Sequence, residues 1–152
     1  MTLIFKEITK LTPQHFELLL DADPSQNIVE DYAKRGNAFE AIKVNKLVGI
    51  VVLLPTRPET IEIVNIAVHQ DFQNQGIGQD ILKFAIQTAK KQNYVTLEIG
   101  TGSTSFGQLY LYQKLNFRIT GIDPDFFIRH YDEEIIENGL ILKDMLRLQQ
   151  DL

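Results

Sequence analysis

Phe72-Gln73-Asn74-Gln75-Gly76-Ile77-Gly78 is the stretch on which the fold of this 152-residue chain turns. Before it lies an apolar, β-branched run, Thr60 to Val68, which reads as a strand. After it, from Gly76 to about Gln92, apolar residues recur at Ile77, Ile81, Leu82, Ala85 and Ala89, a helical stripe. A strand therefore feeds a loop of amide and small residues that becomes a helix N-terminus. Such a junction gathers backbone N–H groups that lack intrahelical partners, together with the positive end of the helix dipole. It suits a phosphate, and Gly76 and Gly78 let a diphosphate approach the main chain closely.

Three phosphate loops compete with a loop that merely turns the chain. A Walker-type loop ends in Gly-Lys-Ser/Thr, whereas Gln79-Asp80 follow Gly78 here. A dinucleotide fingerprint needs a third small residue where Ile81 stands. The third pattern, Gln/Arg-x-x-Gly-x-Gly/Ala after a strand, is matched by Gln73, Gly76 and Gly78. A second segment, Leu111-Tyr112-Gln113-Lys114-Leu115-Asn116-Phe117, follows another strand-like run, Tyr94 to Gly100, and fits the signature Leu-Tyr-x-x-x-Gly-Phe. In this order and setting, the two motifs resemble the GNAT superfamily of N-acyltransferases, and the resemblance covers nearly the whole chain.

The length fits a single domain spanning 1–152 with a proper core. Apolar residues make up 44% and charged residues 23%, an ordinary globular balance. The absence of cysteine excludes disulfides, thiolate metal sites and a cysteine nucleophile, and fits a reducing, cytoplasmic location. No metal site is expected. No apolar stretch approaches the roughly 20 residues of a membrane span. The net charge of −5 argues against nucleic acid as a partner and is compatible with a cationic substrate.

Along the chain, Leu3 to Ile8 reads as a strand. Thr12-Pro13 reads as a cap with proline at the first helical position, and Ser25 as the cap of a second helix that stops at Gly36. Strands at Ala38–Val44 and Leu47–Leu54 are joined by a turn at Asn45-Lys46, and Thr56-Arg57-Pro58-Glu59 is a loop. A helix is expected over Ser105–Leu115, a strand from Phe117 to Ile122, and a last strand, Leu140–Leu148, ending the sheet. Alternating strands and helices after an antiparallel hairpin imply a mixed α/β fold. The resemblance adds a mostly antiparallel twisted sheet flanked by helices, with a splayed central parallel pair, Thr60–Val68 and Tyr94–Gly100.

The resemblance implies that acetyl-CoA, as co-substrate, lies in that splay. Its diphosphate would rest on Gln73, Asn74, Gln75, Gly76, Ile77, Gly78 and Gln79. Backbone N–H groups of Ile66, Ala67 and Val68 would meet the acetyl oxygen and the pantetheine arm, fixed in place before reaction. Tyr112 stands where family members carry a general acid, and a phenol can protonate a departing thiolate. Read from periodicity alone, it is a core tyrosine beside Leu111 and Leu115. Glu62-Ile63-Val64-Asn65-Ile66-Ala67-Val68 resembles the strand of the histone-acetylating branch that carries the general base, which makes Glu62 the candidate and Glu98 the alternative. An exposed strand glutamate is the plainer reading. Regular alternation puts Glu62, Val64 and Ile66 on one face and Ile63, Asn65 and Ala67 on the other. Lys114 is read as a solvated lysine rather than a phosphate partner. The chain departs from the family pattern at Asn116 (usually Gly), Ser105 (often Asn, a cofactor contact) and Gln108 (usually Ala). Asn116 tolerates the left-handed conformation needed to end a helix, and Ser105 is a candidate cap.

The segment Asp123 to Glu134 is aromatic and acidic, and rings beside carboxylates suit an amine cation. A hydrophobic strand followed by a charged loop is the alternative, with His130 structural. The tail Lys143-Asp144-Met145-Leu146 is weakly similar to enzymes that acetylate protein N-termini. The leading expectation is an acetyl-CoA-dependent N-acetyltransferase acting on a small amine. A protein α-amine or lysine acceptor and a non-catalytic acyl-CoA binding module are the alternatives. The sequence leaves the oligomeric state open, a homodimer included.

Overall fold

Two capping residues set where the first helices begin. Thr12 accepts from the His15 N–H (3.4 Å) and Pro13 takes the first position of α1, Pro13–Ala22. Ser25 accepts from the Ile28 N–H (3.4 Å) and opens α2, Gln26–Arg35, which ends against Gly36. The computed structural model describes residues 2–152. The strands are β1 (Ile4–Ile8), β2 (Asn37–Lys43), β3 (Lys46–Arg57), β4 (Thr60–Val68), β5 (Thr96–Gly102), β6 (Arg118–Asp123), β7 (Ile136–Glu137), β8 (Leu140–Ile141) and β9 (Met145–Asp151). The remaining helices are α3 (Ile77–Lys91), α4 (Phe106–Lys114) and α5 (Phe126–His130). The fold is the expected mixed α/β sheet.

Among the described residues, seven strands form the main sheet in the order β1-β2-β3-β4-β5-β9-β6, and only β4 and β5 run parallel. One face carries α3, whose stripe of Ile81, Leu82, Ala85 and Ala89 packs into a cluster with Val51, Leu53, Ile61, Ile63 and Leu97. The other carries α1 and α2, where Leu18, Leu19, Val29 and Tyr32 pack with Ile50, Val52 and Leu54. Each Val, Leu or Ile side chain among them contributes about 1.5–3 kcal/mol on burial.

Four sequence expectations are corrected. The hairpin turn after β2 is Val44-Asn45, one residue earlier than expected, with both residues at positive φ (49° and 62°). A β-branched valine is a poor candidate for that region, which drew the sequence reading to Asn45-Lys46. The stretch Leu140–Leu148 is not one strand: Leu140–Ile141 belongs to the separate β7–β8 hairpin, and β9 begins at Met145. Nor does the last strand end the sheet, since β9 inserts between β5 and β6 and leaves β6 at the edge. The acidic-aromatic segment contains a short helix, α5, rather than a strand.

A bulge in β4 corrects the expected alternation. Val52 pairs with Asn65 and Leu53 with Ile63, so Val64 is an extra residue. Ile61 and Ile63, before the bulge, and Ile66 and Val68, after it, all join the α3-side cluster. Asn65 and Ala67 turn instead toward α1, the Asn65 amide donating to the Leu19 carbonyl (3.0 Å).

Candidate active site

The parallel pair is hydrogen-bonded only from Thr60–Thr96 to Ile63–Ile99. Beyond it, β3 stays paired with β4 to Val68, and β9 with β5 to Gly102. Two strand edges therefore diverge, and their main-chain N–H and C=O groups face an open gap and need partners. The gap is a cleft of about 760 Å³, lined by β4 from Ile63 to Val68, β5 from Ile99 to Gly102, the start of α3, and α4. That volume suits a large organic ligand.

At one end of the cleft Gly76 precedes α3 at φ 81°, and no side chain caps the helix. A side chain at Gly76 would be strained by that φ although its Cβ would meet nothing within 4 Å; a Cβ at Gly78 would meet only Val68 Cγ2 at 3.7 Å. Uncapped first-turn N–H groups and a backbone bare of side chains form a cradle that fits a diphosphate. Gln73, Asn74, Gly76, Ile77, Gly78 and Gln79 all line the cleft, as do Ile66, Ala67, Val68, Ser105 and Tyr112. Gln75 does not; its Oε1 accepts from Lys43 Nζ (3.4 Å) outside the cleft. Gln73 donates to the Val68 carbonyl (3.2 Å), closing the end of β4. Lys114 is exposed and donates to Gln79 Oε1 (3.4 Å), beside the cradle rather than in it.

Midway along the cleft Tyr112 projects from α4. It is 5% exposed, and its hydroxyl makes no hydrogen bond among the described residues yet is not an enclosed orphan, so it opens onto the cleft. Burial pushes its phenol well above the usual range, so it keeps its proton at neutral pH. Asn116 ends α4 at φ 74°, and the Phe117 N–H bonds back to the Tyr112 carbonyl (3.0 Å). Ser105 occupies the N-cap position of α4 without capping it; its hydroxyl donates to Glu137, which also lines the cleft.

Glu62 and Glu98 face each other across the paired part of β4 and β5 and lie outside the cleft lining. Burial raises the Glu62 carboxyl, Glu98 adds to the rise, and Arg147 and Arg57 oppose it. Glu98 accepts from Thr56 Oγ1 (3.4 Å) and pairs with Arg57.

At the far end Asp21, Ala22, Asp23 and Pro24, from the corner between α1 and α2, face Phe127 and Tyr131. Tyr131 donates to Asp23 Oδ1 (2.8 Å) and Tyr32 donates to Asp23 Oδ2 (3.0 Å). Phe127 and Tyr131 pack ring to ring at 5.3 Å.

With that geometry in view, residues 5–117 match the model of the acetyltransferase (GNAT) family. The chain belongs to the GNAT family. It is 53% identical over 137 residues to the uncharacterized N-acetyltransferase YvbK of Bacillus subtilis (strain 168), covering 90% of this chain and 88% of that one. A Bacillus subtilis acetyltransferase solved in complex with CoA superposes with a TM-score of 0.96 at 49% identity, over 99% of each chain. A GNAT family acetyltransferase from Elizabethkingia anophelis with acetyl-CoA bound gives 0.95 at 47% identity, over 99% of this chain and 98% of that one.

Several residues of this GNAT cleft escape a sequence reading. Asp23 precedes the Ser25 cap and reads as part of a helix–helix turn. Glu137 lies in a two-residue strand too short to carry a pattern. Asn65 is 5% exposed and lines the cleft, but only the bulge at Val64 turns its amide toward Leu19. No helix among the described residues is long and apolar enough to cross a membrane.

Proposed function

We propose that this GNAT chain transfers the acetyl group of acetyl-CoA to a primary amine of a small molecule. The observation that carries the acceptor size is the hydrogen bond from Tyr131 to Asp23, which ties the segment after α5 to the α1–α2 corner. That contact narrows the acceptor end, where an entering polypeptide would need an open channel. The relatives solved with CoA and acetyl-CoA support the donor, and the bare cradle at Gly76–Gln79 supplies donors for its diphosphate.

In this reading the unpaired edge of β4 offers the N–H groups of Ile66 and Val68 to the acetyl oxygen, where negative charge develops as the amine nitrogen attacks, while the Ala67 N–H is turned to β3. The carbon–sulfur bond then breaks, and the Tyr112 hydroxyl, which lines the cleft, gives its proton to the leaving sulfur. Before attack the ammonium loses a proton through water to Glu62, whose raised carboxyl is suited to receive one but stands outside the cleft. One N–C bond forms and one C–S bond breaks; the nitrogen sheds its second proton to water as the amide forms, water returns one to the Tyr112 phenolate, and Glu62 releases its proton to solvent.

The test is a screen of small amines, aminoglycosides and peptides with free α-amines, read by thiol release from acetyl-CoA. Turnover confined to small amines is the expected result. Turnover confined to peptides would transfer the assignment to the protein-modifying alternative, and no turnover with tight acetyl-CoA binding would leave a non-catalytic module.

A further inference from the structure

The acceptor end carries negative charge that the protein does not neutralise. Three carboxylates line the cleft (Asp21, Asp23 and Glu137), and no Lys, Arg or His among the described residues does. Asp23 is half-buried and forms no ion pair among the described residues. Asp21 and Asp23 also stand at the C-terminal end of α1, the negative pole of its dipole, with no basic residue in the last turn. Carboxylates there are locally unfavourable, and a low-dielectric cleft of one sign focuses its field on an incoming counter-ion.

The hydrogen bonds fix the state of Asp23. The Leu19 carbonyl can only accept, so the Asn65 Nδ2 must face it (3.0 Å). The same Nδ2 donates to the Tyr32 hydroxyl (2.7 Å), so Tyr32 must spend its own proton on Asp23 Oδ2 (3.0 Å). Tyr131 gives its proton to Oδ1 (2.8 Å). Oδ1 also accepts from the Ser25 N–H (3.3 Å), so both oxygens of Asp23 act as acceptors and one position, on Oδ2, stays open. The phenols of Tyr32 and Tyr131 rise through burial and the neighbouring Asp23 charge, so this donor pattern persists at neutral pH. The rings of Phe127 and Tyr131 add aromatic surface of the kind that attracts ammonium.

We infer that Asp23, flanked by the rings of Phe127 and Tyr131, is a subsite for a second positive charge on the acceptor, so that the preferred substrates are diamines or polyamines acetylated at one end while the other cationic end rests on Asp23. The inference rests on the small-amine reading above and names its substrate class. The reacting nitrogen must shed its proton to attack, so a carboxylate fixed in place by two phenols serves the distal, still-charged nitrogen better than the reacting one.

The experiment compares butylamine, 1,4-diaminobutane and spermidine as acceptors, by thiol release, in the wild-type protein and in Asp23→Asn. The wild type is expected to prefer the two oligocations by about tenfold or more in kcat/KM, a preference that shrinks as salt screens the charges. Asp23→Asn is expected to abolish that preference by raising KM for the two oligocations about tenfold more than KM for butylamine, with kcat little changed, since a structural defect would slow all three alike. A wild type that turns over butylamine as well as spermidine overturns the subsite while leaving the small-amine assignment standing, and this arm needs no variant. Equal losses on all three amines in a folded Asp23→Asn also overturn it, assigning Asp23 a structural role. Turnover of peptides alone defeats the underlying small-amine reading instead.

Discussion

Tyr131 donates a 2.8 Å hydrogen bond to Asp23, joining residues 108 positions apart in the chain across the cleft. Tyr131→Phe keeps the ring and removes only the O–H. We expect a loss of about 1 kcal/mol in stability and a KM for small amines raised by about fivefold, with kcat little changed. Urea melts together with acceptor saturation curves check this, and an unmoved KM would remove Tyr131 from the acceptor site.

Gly78 offers a cleaner probe of the cradle than Gly76, because only Gly76 needs a left-handed backbone. Gly78→Leu is expected to fold normally, since its Cβ meets only Val68 Cγ2 at 3.7 Å. It should weaken acetyl-CoA binding by about 100-fold, the equivalent of two charge-assisted hydrogen bonds. Titration calorimetry giving wild-type affinity would show that the diphosphate lies elsewhere.

Tyr112→Phe removes the proposed proton donor without opening a cavity. The expected result is a fall in kcat of about 100-fold with unchanged acetyl-CoA affinity. The variant should also flatten the alkaline stability curve. Burial raises the Tyr112 phenol in the folded state, so its contribution is complete below the unfolded phenol value near about 10 and is lost as pH climbs toward the folded value. The expected slope is about 1.4 kcal/mol per pH unit for this group, absent in the variant, as read by denaturant unfolding at several alkaline pH values.

Glu62 has the opposite stability consequence at neutral pH. Its carboxyl is raised in the folded state, so the stability tied to its protonated form is present at acid pH and disappears as pH rises through the folded value. Glu62→Gln should therefore be more stable than wild type near neutrality yet slower, with the rate deficit closing at high pH where the amine is already free. A mutant-to-wild-type rate ratio that stays flat with pH would end the base assignment.

The parts of this protein legible in its sequence are those set by neighbours a few residues apart. Thr12-Pro13 and Ser25 announce α1 and α2 through local caps, and the bounds Thr60–Val68 follow from β-branched residues flanked by turns. The cradle at Gly76 was readable because strand, loop and helix N-terminus are consecutive. Long-range features were not. The bulge at Val64 exists only in the register with Val52 and Leu53, and it reverses the face that Asn65 would otherwise take. Asp23 stands out only because Tyr32 and Tyr131 converge on it. The β7–β8 hairpin has strands of two residues each, too short for any period to show.

The position of β9 bears on how the chain assembles. Past Ile99, β5 has parted from β4 and keeps only β9 as a hydrogen-bonded neighbour, while β6 pairs with β9 alone. During synthesis, β6 must remain undocked until Met145–Asp151 has emerged from the ribosome. One wall of the catalytic groove is thus the last piece of the sheet to be locked, a non-local step of the kind that slows folding and leaves strand edges open to aggregation in the meantime.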